Sequence, residues 1–150
     1  MVRGIDSFRE WFKGYEDQYA IIGGTACDLL NDDYYEFLKQ GRIRISDVTI
    51  LDAPYMIPFK AKAWIDLSDR KMAGESVDSK NIRKHRNDVF RLTELLDQSQ
   101  KHLENVPVTV RDDMRTFIER ITQEDVDLKQ LSIRGKTKES ILNQLIGIYM

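Results

Sequence analysis

The stretch "RIRISDVTILDAPYMIPFKAKAWIDLSDRKMAG", Arg42 to Gly74, decides the fold. Its first ten residues alternate, with Ile43 and Ile45, then Val48 and Ile50, on either side of Ser46-Asp47. Alternation broken by a two-residue polar turn predicts a β-hairpin over 42–51. From Asp52 the reading changes to a helix. Asp52 serves as its cap, and Pro54 falls in the first turn, where a missing N–H costs little. Pro58 is expected to kink the start of this helix or to defer it, and Gly74 closes the segment.

Downstream, Ser79 to Gln98 reads as one long helix with Ile82, His85, Val89, Leu92 and Leu96 on one stripe. Pro107 and Val108 open another, whose face is Val110, Met114, Phe117 and Ile121. Ile141, Leu142, Leu145, Ile146 and Tyr149 mark the last. Upstream, Phe8, Trp11, Phe12 and Tyr15 recur at helical spacing, so 7–18 is expected to be a helix capped by Asp6 or Ser7. Residues 19–22 read as a buried strand, 25–31 as a short helix, and 33–40 as its continuation, with Gly41 as the stop. The expected fold is α+β in a single domain, 1–150. A small N-terminal sheet, a strand plus the hairpin, occupies 1–52 and packs on a mostly helical C-terminal part, 53–150.

One hundred and fifty residues suffice to bury a core, and 41% apolar with 32% charged residues describes a globular chain. The net charge of −2 gives no global case for nucleic-acid binding. Locally, residues 60–91 hold nine Lys/Arg against five Asp/Glu, an excess that could face a nucleotide or another polyanion. The single cysteine, Cys27, excludes an intramolecular disulfide and reads as core packing. No apolar run approaches the ~18 residues of a membrane span. The opening "MVRGIDSFREWF" lacks a signal peptide's apolar region, so a cytoplasmic address is expected.

One further stretch bears on function. "IIGGTACDLL", Ile21 to Leu30, places Gly23-Gly24 between an apolar run and a helix-like segment. Glycines there let a phosphate approach the backbone, and the helix N-terminus offers unpaired N–H groups. A tight strand-to-helix turn explains the same residues. The stretch resembles the first motif of nucleotidyltransferase-fold proteins, especially abortive-infection toxins of the AbiEii type. "LDAPYMIPFKAKAWIDLSDRK" and "VDSKNIRKHRNDVFRL" extend the resemblance to roughly residues 8–96. It implies a helix carrying a lysine (Lys60 or Lys62) and then Arg70, followed by a helix carrying Lys84 and Asp88. Gly23, Gly24, Thr25, Lys62, Arg70 and Lys84 would then contact a nucleoside triphosphate, bound with Mg²⁺ if the protein is active. A tRNA end would be the acceptor and an antitoxin the protein partner.

The departure from the family matters as much. Its members carry an Asp-x-Asp pair on the strand after the glycines, and none follows here. Asp32 and Asp33 are adjacent in a helix-like segment, and Asp47 and Asp52 are five apart. It looks as if an internal block were missing. Two-metal transfer needs clustered carboxylates, so the chain is expected to be catalytically impaired, with the metal site unknown. Residual, weak triphosphate binding through Lys62, Arg70 and Lys84 is the corresponding expectation. The alternative is a non-enzymatic module that binds a nucleotide, a nucleic acid or a protein and self-associates through exposed sheet edges.

Each candidate also has a structural explanation. Thr25 can be a helix cap, and Lys60 and Lys62 a solvated pair that point to different sides. Lys80, Lys84, Asp88 and Arg91 have the spacing of a self-paired ladder on one helix face. His85 lies on the apolar stripe and reads as a core histidine, and His102 has no constellation around it. Trp11 and Trp64 read as core anchors.

Overall fold

A computed structural model describes residues 4–15, 18–19, 32–97 and 102–150. Its described elements are six helices and one two-stranded antiparallel sheet, in an α+β arrangement. They are α1 (Ile5–Trp11), α2 (Asp32–Gln40), β1 (Arg42–Ile45), β2 (Val48–Leu51), α3 (Ala53–Met72), α4 (Ser79–Leu92), α5 (Val108–Thr122) and α6 (Lys138–Tyr149). The expected strand at 19–22 and helix at 25–31 lie outside the described residues, apart from Tyr19. None of the described helices is long and apolar enough to cross a membrane.

The hairpin forms as its alternation predicts. Arg42 pairs with Leu51 and Ile45 with Val48, so the loop is Ser46-Asp47 alone. Both residues have positive φ, 46° and 63°, which is the turn whose twist matches that of paired strands. The Asp47 carboxylate accepts a bond from Arg44 at 3.2 Å. β2 is the inner strand, with Val48, Thr49 and Leu51 buried, while Ile45 on β1 is 53% exposed. The Asp52 N–H closes the hairpin's base on the Gly41 carbonyl at 2.8 Å. Gly41 is required for room: a Cβ there would lie 2.2 Å from the Tyr55 ring.

Helix α3 is the centre of the molecule. Asp52 caps it, its carboxylate accepting from the Ala53 N–H at 2.8 Å. It packs against α2, α4 and α5, and its buried residues surround it instead of forming one stripe. The expectation that Pro58 would defer the helix start is corrected, because α3 begins at Ala53 and continues past Pro58 to Met72. Proline at position 58 cannot donate to the carbonyl four residues earlier. That carbonyl belongs to Pro54, and it accepts instead from the phenol of Tyr149, a fully buried residue at the end of α6.

Around α3 the aromatic rings interlock. Tyr34 meets Phe59 edge-on at 5.1 Å, and Trp64 meets Phe117 at 5.3 Å and 80°. The face predicted for α5 is correct, since Val110, Met114, Phe117 and Ile121 are all fully buried. In α6 the buried set is Ile141, Leu142, Leu145, Ile148 and Tyr149, while Ile146 is 41% exposed. Thr137 and Ser140 form a reciprocal capping box at its start. Lys138 binds the carbonyls of Ile121, Thr122 and Glu124 and so closes the end of α5.

Three boundaries differ from the sequence reading. The helix expected over 7–18 spans only Ile5–Trp11, because Gly14 adopts a φ of +89° that stops a helix. Its cap is Gly4, not Asp6 or Ser7, and Trp11 is 83% exposed, not a core anchor. The helix expected over 79–98 ends at Leu92, followed by a 3-10 turn over Thr93–Leu95 and an extended Leu96. The Thr93 hydroxyl bonds back to the Phe90 carbonyl at 2.6 Å, and Lys136 donates to the Thr93 carbonyl at 3.3 Å. These side chains take the carbonyls that further turns of helix would have needed.

Tyr149→Phe should destabilise the fold by about 1–3 kcal/mol, the penalty for a buried carbonyl left without its donor. In a Pro58→Ala background the restored N–H can reach the Pro54 carbonyl, so the same change should cost markedly less. Urea unfolding of the four proteins measures both, and an equal loss in the two backgrounds would show that the phenol is not replacing the missing proline donor.

Candidate functional site

Helices α3 and α4 are joined by residues 73–78, where Gly74 takes a φ of +87° and Asp78 caps α4 by accepting from the Lys80 N–H at 2.8 Å. The local basic excess lies on these two helices. On α3, Lys60 and Lys62 are two residues apart and so point to different neighbours. Lys60 reaches Asp88 of α4 at 3.0 Å, and Lys62 reaches Asp113 of α5 at 3.3 Å and Asp66 at 3.4 Å. Neither is the solvated lysine expected from the sequence: 17% of the Lys60 side chain is exposed and 26% of that of Lys62. Burial alone would lower the Lys62 pKa. Asp113 and Asp66 outweigh it and hold the ammonium above the ordinary lysine value.

Asp113 also accepts from the phenol of the buried Tyr34 at 2.9 Å, which ties α2 to the same cluster. Burial first, and then the Asp113 charge, raise the Tyr34 pKa far above the usual range, so the phenol stays a donor. Arg70 is exposed at the end of α3 and pairs with Glu75 at 2.7 Å. Lys84 is exposed on α4 and, among the described residues, forms no ion pair. The expected ladder is therefore corrected: Asp88 has Lys60 as its near partner and Arg91 at 3.8 Å, and not Lys84. Lys62, Arg70 and Lys84 are not brought to one place by these contacts. Gly23, Gly24 and Thr25 lie outside the described residues, as do Cys27 and Asp28.

His85 is buried on the apolar face of α4, as its stripe position predicts. Burial, then the neighbouring Lys60, lower its pKa below the usual value, with Lys84 adding to the effect and Asp88 opposing it. The carboxylates weighed as metal ligands hold other posts. Asp33 accepts from Thr109 at 2.8 Å, Asp47 from Arg44 at 3.2 Å, and Asp52 from the Ala53 N–H. Among the described residues no group of three or more His, Cys, Asp or Glu is placed to hold a metal ion.

The cations that do converge are others. An open groove of about 780 Å³ lies between the C-terminal half of α3 and the N-terminal half of α4. Lys71, Arg83 and Arg86 line it, with Glu124 as its one carboxylate and Ser68 and Ser79 as its hydroxyls. Trp64, Met72 and Ile82 supply its apolar surface. The signal was present in the sequence: Ser79, Ile82, Arg83 and Arg86 sit at i, i+3, i+4 and i+7, one helix face. It was masked by the competing stripe through Ile82, His85 and Val89, which marks the core face. No family model, no curated protein and no solved structure matches the chain.

The lowered His85 pKa makes stability pH-dependent. The unfolded chain binds a proton at about the ordinary histidine value of 6.5, while the folded chain resists it. His85 thus favours the folded state above that pH and loses this contribution as pH falls through the folded value. Urea midpoints should drop from about pH 7 to pH 5 in the wild type and fall less steeply in His85→Gln. Parallel curves for the two proteins would remove His85 as the cause.

Proposed function

We propose that this chain is a nucleotidyltransferase-like protein, related to AbiEii-type toxins, that has lost metal-dependent transfer and retains a binding role. One observation carries the reading. The two described strands that follow Gly23-Gly24 in the sequence, "RIRI" and "VTIL", contain no carboxylate. Transfer from a Mg²⁺-bound triphosphate needs clustered carboxylates to hold the ion against the phosphates. The residues present do not fit that ion, so no transfer step is assigned to them.

Two further features support the relationship. "IIGGTACDLL" has the composition of a phosphate-approach turn. The helices that follow the hairpin carry both lysines that the resemblance leaves open, Lys60 and Lys62, and the aspartate it calls for, Asp88; Lys60 lies 3.0 Å from Asp88, while Lys62 pairs with Asp113. In this reading the partners are a nucleoside triphosphate, a tRNA end and an antitoxin protein, in a cytoplasmic setting.

Purified protein incubated with radiolabelled nucleoside triphosphates, Mg²⁺ and bulk tRNA should transfer no label above background. Transfer that Asp47→Ala abolishes would overturn the proposal and return a metal site to the hairpin turn.

A further inference from the structure

We propose that the groove between α3 and α4 is a binding site for a nucleotide, with Lys71 and Arg83 on the phosphates, Arg86 held in the wall, and Met72 and Ile82, over the buried Trp64, against the base. None of these residues belongs to the set that the family resemblance points to. The inference shares with the reading above only the choice of a nucleotide as ligand; the groove stands on its own residues.

Charge is the first consideration. Three cations and one carboxylate line the groove, so its field is positive. The cations differ in how far they are committed. Arg86 donates to Glu124 at 2.8 Å and to Asn87 at 3.2 Å, which fixes its guanidinium at the wall. Lys71 donates to the Ser79 hydroxyl across the mouth of the groove, so it bridges the two helices. Arg83, one helical turn beyond Ser79, is exposed and among the described residues pairs with no carboxylate. A guanidinium in that state can offer two parallel N–H groups to a phosphate. Binding a phosphate there breaks no existing ion pair of Arg83.

Shape and polarity set the rest of the ligand. An inorganic anion would need only the cations. The groove continues onto apolar surface, where Met72 is 74% exposed and Ile82 is half-buried, with the buried Trp64 beneath them. Trp64 is locked by its contact with Phe117, so this surface is rigid. Its volume, about 780 Å³, is in the range that holds a drug-sized molecule. A planar base on Met72 and Ile82, next to the buried Trp64, with its phosphates on Arg83 and Lys71 uses both halves of the groove. A free phosphate uses one.

The test is an amide and indole NMR titration at low salt with ATP, inorganic tripolyphosphate and adenosine. ATP should shift the amides of Ser79 and Arg83 and the Trp64 indole N–H together. Tripolyphosphate should bind more weakly than ATP and leave the Trp64 signal in place. Arg83→Ala should weaken ATP about tenfold, the size of one charge-assisted contact. Lys39→Ala, an exposed lysine at the end of α2 beside the opposite end of α3, should change it by less than about twofold. Absence of shifts at millimolar ATP overturns the proposal, and so does equal loss in the two variants. Tripolyphosphate binding as tightly as ATP overturns the nucleotide assignment. Shifts confined to Gly23, Gly24 and Lys84 would also overturn it while leaving the nucleotidyltransferase-like reading intact.

Discussion

Helix α3 contains two prolines four residues apart, and the structure depends on how that defect is repaired. Proline 58 removes a helical donor, and the carbonyl it leaves open is Pro54's, in the fully packed interior. An unpaired buried carbonyl is costly, and water is excluded from this place. The donor comes from Tyr149, at the far end of the described chain. A single hydroxyl thus fixes where α6 ends relative to where α3 begins. Leu103 adds to the same anchor, its N–H reaching the Ile148 carbonyl at 2.9 Å. The last helix therefore seats as a fitted part of the core and not as a generic apolar face.

Once α3 is held, its charged residues organise the neighbours. Lys60 addresses α4, Lys62 addresses α5, and Asp69 binds Arg120 of α5 through both carboxylate oxygens, at 2.5 and 3.4 Å. Arg86 carries the pattern outward to Glu124, just past the end of α5. These pairs are partly buried and join different elements, unlike the exposed i, i+3 pairs Glu36–Lys39 and Asp112–Arg115. Exposed pairs of that kind contribute little to stability. The inter-helix pairs instead select one register between helices, because a helix rotated by one residue would leave each partner buried and alone.

Local signals in the sequence carried the hairpin, the start of α3 and the buried faces of α5 and α6. Ser46-Asp47, Asp52 and the Val110-Met114-Phe117-Ile121 stripe each depend only on residues within a few positions of one another. The misses share the opposite property. Pro58 read as a residue that could defer the helix start because its compensation lies 91 residues away in Tyr149, as the positions in the sequence show. The end of α4 depends on Lys136, a residue of another segment. Trp11 looked like core by composition, but Gly14 stops its helix at a point that leaves the ring exposed. The ion-pair ladder on α4 satisfied local spacing, yet Lys60 from the adjacent helix approaches Asp88 closely enough to displace Lys84 from that role.

The same distinction governs the candidate site. Basic residues were singled out by position within a resemblance, which says where a cation stands but not whether it is already spent. Lys62 is spent on Asp66 and Asp113, and Arg70 on Glu75. Lys62, neutralised at about 3.3 Å by Asp113 in a half-buried setting, must give up that partner before it can bind a phosphate, whereas the Arg70 pair is exposed and weaker. The exchange then gains only the difference between two charge-assisted contacts. Arg83 meets no such cost, since its face of α4 looks into the groove and not toward the core. Anion binding on this pair of helices is thus decided by which cations the packing leaves uncommitted. Packing spends those between helices first, and so the cation it leaves uncommitted is Arg83, in the groove lined by α3 and α4, which does not include Lys62.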